Sequence, residues 1–324
     1  MLQKSPMVGG QAVIEGVMMR SPRAVAVACR KPDGKIVVKT ENSVPLTQRF
    51  RFLNLPFFRG AVVLIESLII GVKALVFSGD IAMLEENRKD GDTDAEPLQR
   101  VLHKTFWEKA RMFLMLGFSL TLGLLLFFYL PLVLTDWLGV KSGFWFNMVD
   151  GAIRLVFFLI YLFAITLLKD IRRVFEYHGA EHKSIYAYEN KVELTAENAA
   201  RFSRFHPRCG TSFLLIVMIV SILVFLTLGR PDTISERLLR LAFVPVIGGI
   251  SYELIRLSDK GYRSRFWRVF ILPGLWLQKL TTREPDHSQL EVAIVALKAA
   301  LGEDVAALPN VEVLDGEAVL KKVA

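Results

Sequence analysis

The chain has 324 residues, with 40 Lys and Arg against 32 Asp and Glu for a net charge of +8, and it is 52% hydrophobic and 22% charged; its mean hydropathy is +0.39. That apolar content excludes an intrinsically disordered chain, and only 2 Cys exclude a disulfide scaffold. The basic residues flank apolar blocks, so the charge is read as facing a lipid bilayer and no nucleic-acid partner is expected.

Residues 1–20 lack the apolar core of a cleavable signal peptide. The block GGQAVIEGVMMRSP (Gly9–Pro22) then sets polar Gln11, Glu15 and Arg20 among apolar residues and glycines. Two readings compete for it. One is a loop that closes over the functional segment, with Glu15 and Arg20 touching substrate or supporting a ligand shell; the other is an edge strand with turns. Residues 24–41 carry two β-rich runs around Lys-Pro-Asp-Gly, which predicts a β-hairpin. The sequence PFFRG (Pro56–Gly60) leads into an apolar block, Ala61–Ser78, that holds Glu66 and Lys73. An ionisable residue at membrane depth is a functional candidate by default. Glu66 is expected to face Arg59 or the polar fourth span, the plain alternative being an interfacial ion pair. Residues 85–100 are acidic and polar and read as a loop.

Four transmembrane spans follow, since a bilayer core takes ~20 mostly apolar helical residues. Met112–Thr135 has no charged residue. Phe144–Leu168 carries Asp150 and Arg154, placed one turn apart on one helix face where they can pair. Ser212–Gly229 is uncharged. Leu238–Ile255 contains Arg240, Pro245, Gly248, Gly249 and Glu253, so it is expected to pack against protein rather than lipid. The linkers between paired spans are short and poor in basic residues, whereas 169–211, the tail after Ile255 and the N-terminal segment are rich in Lys and Arg. The positive-inside rule therefore places those long segments on the cytoplasmic side of the membrane. With both its flanks inside, Ala61–Ser78 cannot cross once, and is expected to be re-entrant or interfacial. The predicted fold class is a mainly α, polytopic membrane protein with about four transmembrane helices and a small N-terminal β element. Its parts are 1–57 (β-containing), 58–79 (re-entrant or interfacial helix), 80–111 (loop), 112–168 (transmembrane hairpin), 169–211 (metal-motif segment), 212–256 (second hairpin) and 257–324 (interfacial and helical tail). In that tail Arg263, Arg265, Trp267, Arg268 and Trp276 suit a helix on an anionic leaflet. Residues 288–301 read as a terminal helix docked on its own domain, with Ser288 as N-cap and Glu291 completing a capping box.

The chemistry concentrates in 169–211. Of 5 His in the chain, His178, His182 and His206 lie there, with Cys209, one of the 2 Cys. Within FEYHGAEHK, His178 and His182 are one helical turn apart and Glu181 projects beside them, the H-x-x-E-H order in which two His bind zinc and the Glu is general base. His206 or Cys209, in RFHPRCGTS, can complete a Zn²⁺ site that keeps one position for water. The competing structural readings are interfacial His beside a buried Cys, or a zinc that only staples the loop to the third span.

The chain resembles the YqhQ family of bacterial membrane proteins in GGQAVIEGVMMRSP, PFFRG, EYHGAEHK (Glu176–Lys183), HPRCGTSF (His206–Phe213) and PGLWLQKLTTREPDHSQLEVAI (Pro273–Ile294). The family is described as a domain of unknown function, and sometimes as predicted metal-dependent enzymes; the resemblance implies that His178, Glu181, His182, His206 and Cys209 are its polar positions and implies no substrate. The expected function is a zinc-dependent hydrolase acting on a membrane peptide or lipid at the cytoplasmic interface. In it Glu181 serves as base and Arg20 or Arg59 steadies developing negative charge. A scaffold protein with a structural metal and a small-molecule or ion transporter using Asp150, Arg154, Arg240 and Glu253 are the alternatives.

Overall fold

A computed structural model describes residues 8–55, 58–84, 106–261 and 265–314. The loop expected at 85–100 lies outside the described residues, as do the side chains of Arg263, Arg265, Trp267 and Arg268. The N-terminal part is a meander of four antiparallel strands: β1 (Gly9–Val13), β2 (Gly16–Arg20), β3 (Ala24–Arg30) and β4 (Ile36–Asn42). The predicted hairpin is β3–β4. Its turn is closed by Lys31 N–H to Lys35 O (2.8 Å) and Gly34 N–H to Lys31 O (2.9 Å), with Gly34 at φ +87°, where a side chain would be strained. A fifth strand from the far end of the chain, β5 (Val311–Leu314), pairs parallel to β4.

Side chains alternate across this sheet, and both faces are covered. Val17, Met19, Ala26, Ala28 and Val38 face one hydrophobic core, and Val13, Met18, Val25, Cys29 and Val37 face another. Double coverage explains why β3 is an unbroken apolar run instead of an alternating one. The first core is filled by α6 (Lys169–Glu189) and α12 (His287–Leu301), the second by α2 (Phe58–Ala82). Along α12, Val292, Ala293, Ala296 and Leu297 are fully buried, as expected of a terminal helix docked on its own domain. Its cap differs from the expected one. The helix starts two residues earlier, where Asp286 Oδ1 accepts from Gln289 N–H (2.8 Å) and Gln289 Oε1 accepts from Asp286 N–H (2.9 Å). Ser288 Oγ only donates to the Asp286 carboxylate, because an aspartate upstream of an equally good Gln outcompetes the Ser/Glu pair.

Between these layers the chain forms a short helix α1 (Leu46–Arg49), and then the membrane helices. These are α3 (Phe106–Leu124), running through a π turn at Leu125–Tyr129 into α4 (Leu130–Trp137); α5 (Gly143–Ile165); and, after α6 and the one-turn α7 (Ala196–Ala200), α8 (Gly210–Leu228). The fourth span is α9 (Ile234–Ala242) followed by α10 (Val244–Gly261). It is broken at Phe243 because Pro245 is tolerated only in the first turn of a helix. The helix α11 (Arg265–Thr281) leads back to the sheet layer. Among the described residues, five helical segments are long and apolar enough to cross a membrane: Arg59–Ala82, Ala110–Trp137, Gly143–Ile165, Gly210–Leu228 and Ile234–Leu257. The protein is a polytopic, mainly α-helical membrane protein.

The block 61–78, expected to be re-entrant or interfacial, lies within helix α2. Helix α2 is one unbroken element of 25 residues, about 37 Å at 1.5 Å per residue, with no reversal. Its first turn crosses α10, where an added Cβ on Gly60 would come 2.8 Å from the Cα of Gly249. Its last three turns run under the sheet, where Ala74, Phe77 and Ile81 are buried and Ser78 Oγ accepts from Ile14 N–H (3.2 Å).

Candidate metal centre

The functional segment is helix α6, which continues from the second span after Leu168. Glycine at 179 is required by packing: the carbonyl of Arg283 lies where its Cβ would stand. That contact lays residues 281–285 across the helix, and Arg283 N–H donates to Phe175 O (2.8 Å). His178 and His182 project from one face, with ring centroids 4.5 Å apart.

Each ring is held by its Nδ1. His178 Nδ1–H donates to Thr281 O (2.7 Å), and His182 Nδ1–H donates to Arg204 O (2.5 Å). A carbonyl can only accept, so both tautomers are fixed and both Nε2 atoms keep the lone pair a cation needs. His178 Nε2 lies 3.2 Å from Cys209 Sγ. Ligand atoms of His178, His182 and Cys209 all fall within 4.8 Å of one another. Zinc bonds of about 2.0 Å to nitrogen and 2.3 Å to sulfur place tetrahedral ligand atoms roughly 3.5 Å apart, so this donor set fits Zn²⁺. Cys209 is also the N-cap of α8: its Sγ accepts from Thr211 N–H (3.4 Å), and the positive end of the helix dipole faces the sulfur.

Glu181 is buried beside this triad, one carboxylate oxygen 3.9 Å from His178 Nε2. Gly10 on β1 lies directly over it, and its backbone N–H favours the charged carboxylate. A Cβ on Gly10 would meet Glu181 Cγ at 2.8 Å. Burial pushes the Glu181 carboxyl up, against the pull of His178, His206 and the Gly10 N–H. Burial likewise pushes His182 down, ahead of the opposing bond to Cys209, which favours the neutral, ligating imidazole. The arrangement thus offers three soft or borderline donors and an adjacent base of raised proton affinity.

The other predicted residues go elsewhere. His206 lies outside the triad; its Nδ1 accepts from Arg208 N–H (3.3 Å), its Nε2 lies 3.6 Å from Glu189, and its ring is 5.6 Å from that of His182. The block 9–22 is the β1–β2 hairpin, an edge strand with a turn, and it does cover α6, but through Gly10. Strand alternation sends Gln11 and Arg20 to the opposite face, against α2, where Gln11 packs on Gly71 and Arg20 pairs with Glu66 (2.9 Å). Glu66 therefore pairs with neither Arg59 nor the fourth span. Arg59 forms an ion pair with Glu253 of α10. Glu15, in the turn at φ 50°, pairs with Arg173 and reaches the hydroxyl of Tyr177. The supporting groups that residue types could not reveal are backbone carbonyls, Thr281 and Arg204, and the fully buried Gln278. That side chain accepts from His206 N–H and donates to His206 O (2.8 Å each), tying α11 to the loop that carries Cys209.

Residues 55–303 match a family described as "Protein of unknown function (DUF1385)". The chain is 34% identical over 310 residues to "Uncharacterized protein YqhQ" of Bacillus subtilis (strain 168), an alignment that spans 91% of this chain and 92% of that protein. No solved structure matches it. This chain belongs to that family, as the resemblance in its sequence blocks implied.

Proposed function

We propose, from membership of that family and the geometry of its polar cluster, that the protein is a membrane metalloenzyme, a hydrolase acting on a peptide or lipid at the cytoplasmic face of the inner membrane. The reading is carried by one observation: two imidazoles with anchored Nδ1–H groups turn their Nε2 atoms toward Cys209, with the buried Glu181 carboxylate beside them. His178, His182 and Cys209 hold the ion. When bound, Zn²⁺ supplies Lewis acidity at this point, polarising a carbonyl or phosphoryl oxygen and making nearby water more acidic. Glu181 takes the proton from the attacking water and returns it to the leaving group. Its burial raises its proton affinity, which suits a base that must hold a proton between the two events. The hairpin β1–β2 limits water on the Gly10 side. Arg20 and Arg59 are committed to carboxylate partners and act, in this reading, on the frame and not on the reacting atoms.

The test is elemental analysis of detergent-purified protein beside a His178→Ala/His182→Ala variant, with Glu181→Gln as the third arm. The expected result is stoichiometric metal in the parent, background in the double variant, and full metal in Glu181→Gln. Chelator-sensitive cleavage of peptides or phospholipids in mixed vesicles should be lost in Glu181→Gln. Equal metal in parent and double variant overturns the reading. A second reading, a structural metal, is favoured by the way the ligands lock α6, α8 and, through Thr281, α11 together. It predicts that Glu181→Gln is silent while His178→Ala destabilises the fold.

A further inference from the structure

Helix α2 sits tightly on one half of its sheet face and stands off the other. Ala74, Phe77 and Ile81 pack against Val13, Cys29 and Val37. Toward Val25 and Val27 a cavity of about 300 Å³ remains, walled on the helix side by Ile69, Ile70, Ala74 and Phe77. Its rim carries Lys39, Glu41, Glu66 and Lys73. Lys39 pairs with Glu41 (2.7 Å), and Glu66 with Arg20 (2.9 Å). Lys73 is exposed, and Arg20, which reaches Glu66 from beside the cavity, makes three cations for two carboxylates in and around the rim, an excess of one positive charge. The outer surface beside the cavity exposes Ile65, Leu68 and Ile69 on α2, each more than half accessible, along with Phe52. This helix is one of the five apolar enough to cross a membrane, so that surface lies against hydrocarbon or the headgroup zone.

We propose that this cavity takes one acyl chain of an anionic phospholipid, with the phosphate at the Lys39–Lys73 rim. The volume is at the small end of ligand cavities, enough for a slender flexible chain and too narrow for a protein helix. The apolar walls match an alkyl chain, and the single excess cation matches a single phosphodiester. A lysine near an anionic headgroup strengthens association by about fivefold. The inference is independent of the metal, since Val25, Val27 and Arg20 point to the sheet face opposite Glu181.

Photo-crosslinking tests it. The full chain is reconstituted in phosphatidylethanolamine vesicles containing a phosphatidylglycerol with a diazirine at its chain end, and labelled peptides are sequenced. Labelling of the β3 peptide around Val25 and Val27 is expected, because boundary lipid on the outside of α2 cannot reach those buried residues. Ile69→Trp, which fills the cavity from its exposed side and leaves the packed half of the sheet untouched, should abolish that label and keep labelling near Leu68. Lys73→Gln, or a phosphatidylcholine with the same chain, should reduce it about fivefold. Label confined to the outer face of α2, β3 label that survives Ile69→Trp, or equal labelling by the zwitterionic lipid overturns the proposal.

Discussion

The two ends of α8 each carry a largely buried polar cluster, and the two are built on opposite plans. At the start, Cys209, His178 and His182 turn nitrogen and sulfur toward a common point, and their other polar atoms are tied to backbone. At the finish, about 28 Å away for a 19-residue helix, the polar groups bond to one another and to the helix end. Arg154 donates to Asp150 (2.8 Å), Arg240 donates to Asn147 Oδ1 (2.7 Å) and to Gly229 O, and Arg154 and Arg240 both lie over the ring of Phe225. One end gathers nitrogen and sulfur at a common point; the other directs its bonded groups to the helix terminus and to each other, with two Arg for one Asp. A transport route would need the second cluster to exchange partners, whereas its arrangement serves to cap α8 and join it to α5 and α9.

That contrast can be broken from either side. The largest effect is expected at the finish. Asp150→Leu strands Arg154 in a buried site and should cost about 3–5 kcal/mol of stability, read as a lower unfolding temperature in detergent, while metal content stays at the parent level. Metal loss in this variant would mean that the two ends are not separate. Next comes Gly179→Ala, which displaces the Arg283 carbonyl and with it the Thr281 carbonyl that orients His178. Metal affinity should fall about 10–100-fold, as for other groups that orient ligands, measured by competition with a chromogenic chelator; unchanged affinity would show that Thr281 does not set the ring. The smallest effect is Asp286→Ala, which removes the cap of α12 and should cost about 1 kcal/mol, read by hydrogen exchange in β3 and β4. Burial alone would raise the Asp286 carboxyl, but bonds from Ser288 and Gln289 and the charge of Arg173 outweigh it and hold it low. A lowered folded value means that the cap's contribution is complete above the ordinary aspartate range and disappears as pH falls through that lowered value. Exchange in the sheet should therefore quicken in acid in the parent and less so in Asp286→Ala.

Sequence patterning made one class of feature readable and hid another. Apolar runs located four of the five long apolar helices, the β-rich runs around Lys-Pro-Asp-Gly located the hairpin, and two His one turn apart with a distant His or Cys pointed to the His/Cys cluster, because each depends on local spacing. The Asp150–Arg154 pair was legible for the same reason. Pairings across long separations were not. Arg20 with Glu66 and Arg59 with Glu253 are choices among several equally charged neighbours, settled only when strand alternation and the α2–α10 crossing fix which side chains meet. The carbonyls of Thr281 and Arg204 have no residue-type signature at all. The role of the Gly9–Pro22 block was half visible: its polar residues drew notice, yet the part that reaches Glu181 is Gly10, chosen for having nothing to put in the way.

The parallel pairing of β5 with β4, and the seating of α12 in the sheet's core, have a consequence for biogenesis. The meander leaves the ribosome first, while α12 and the strand that completes its border come only after the membrane helices have been made. Until translation reaches Leu314, β4 presents a bare edge and β2–β3 an uncovered apolar face. Insertion of the helices must therefore proceed beside an unfinished domain, and truncation ahead of Val311, within α12 or the segment after it, should send nascent protein to quality-control proteases rather than yield a shortened but folded product.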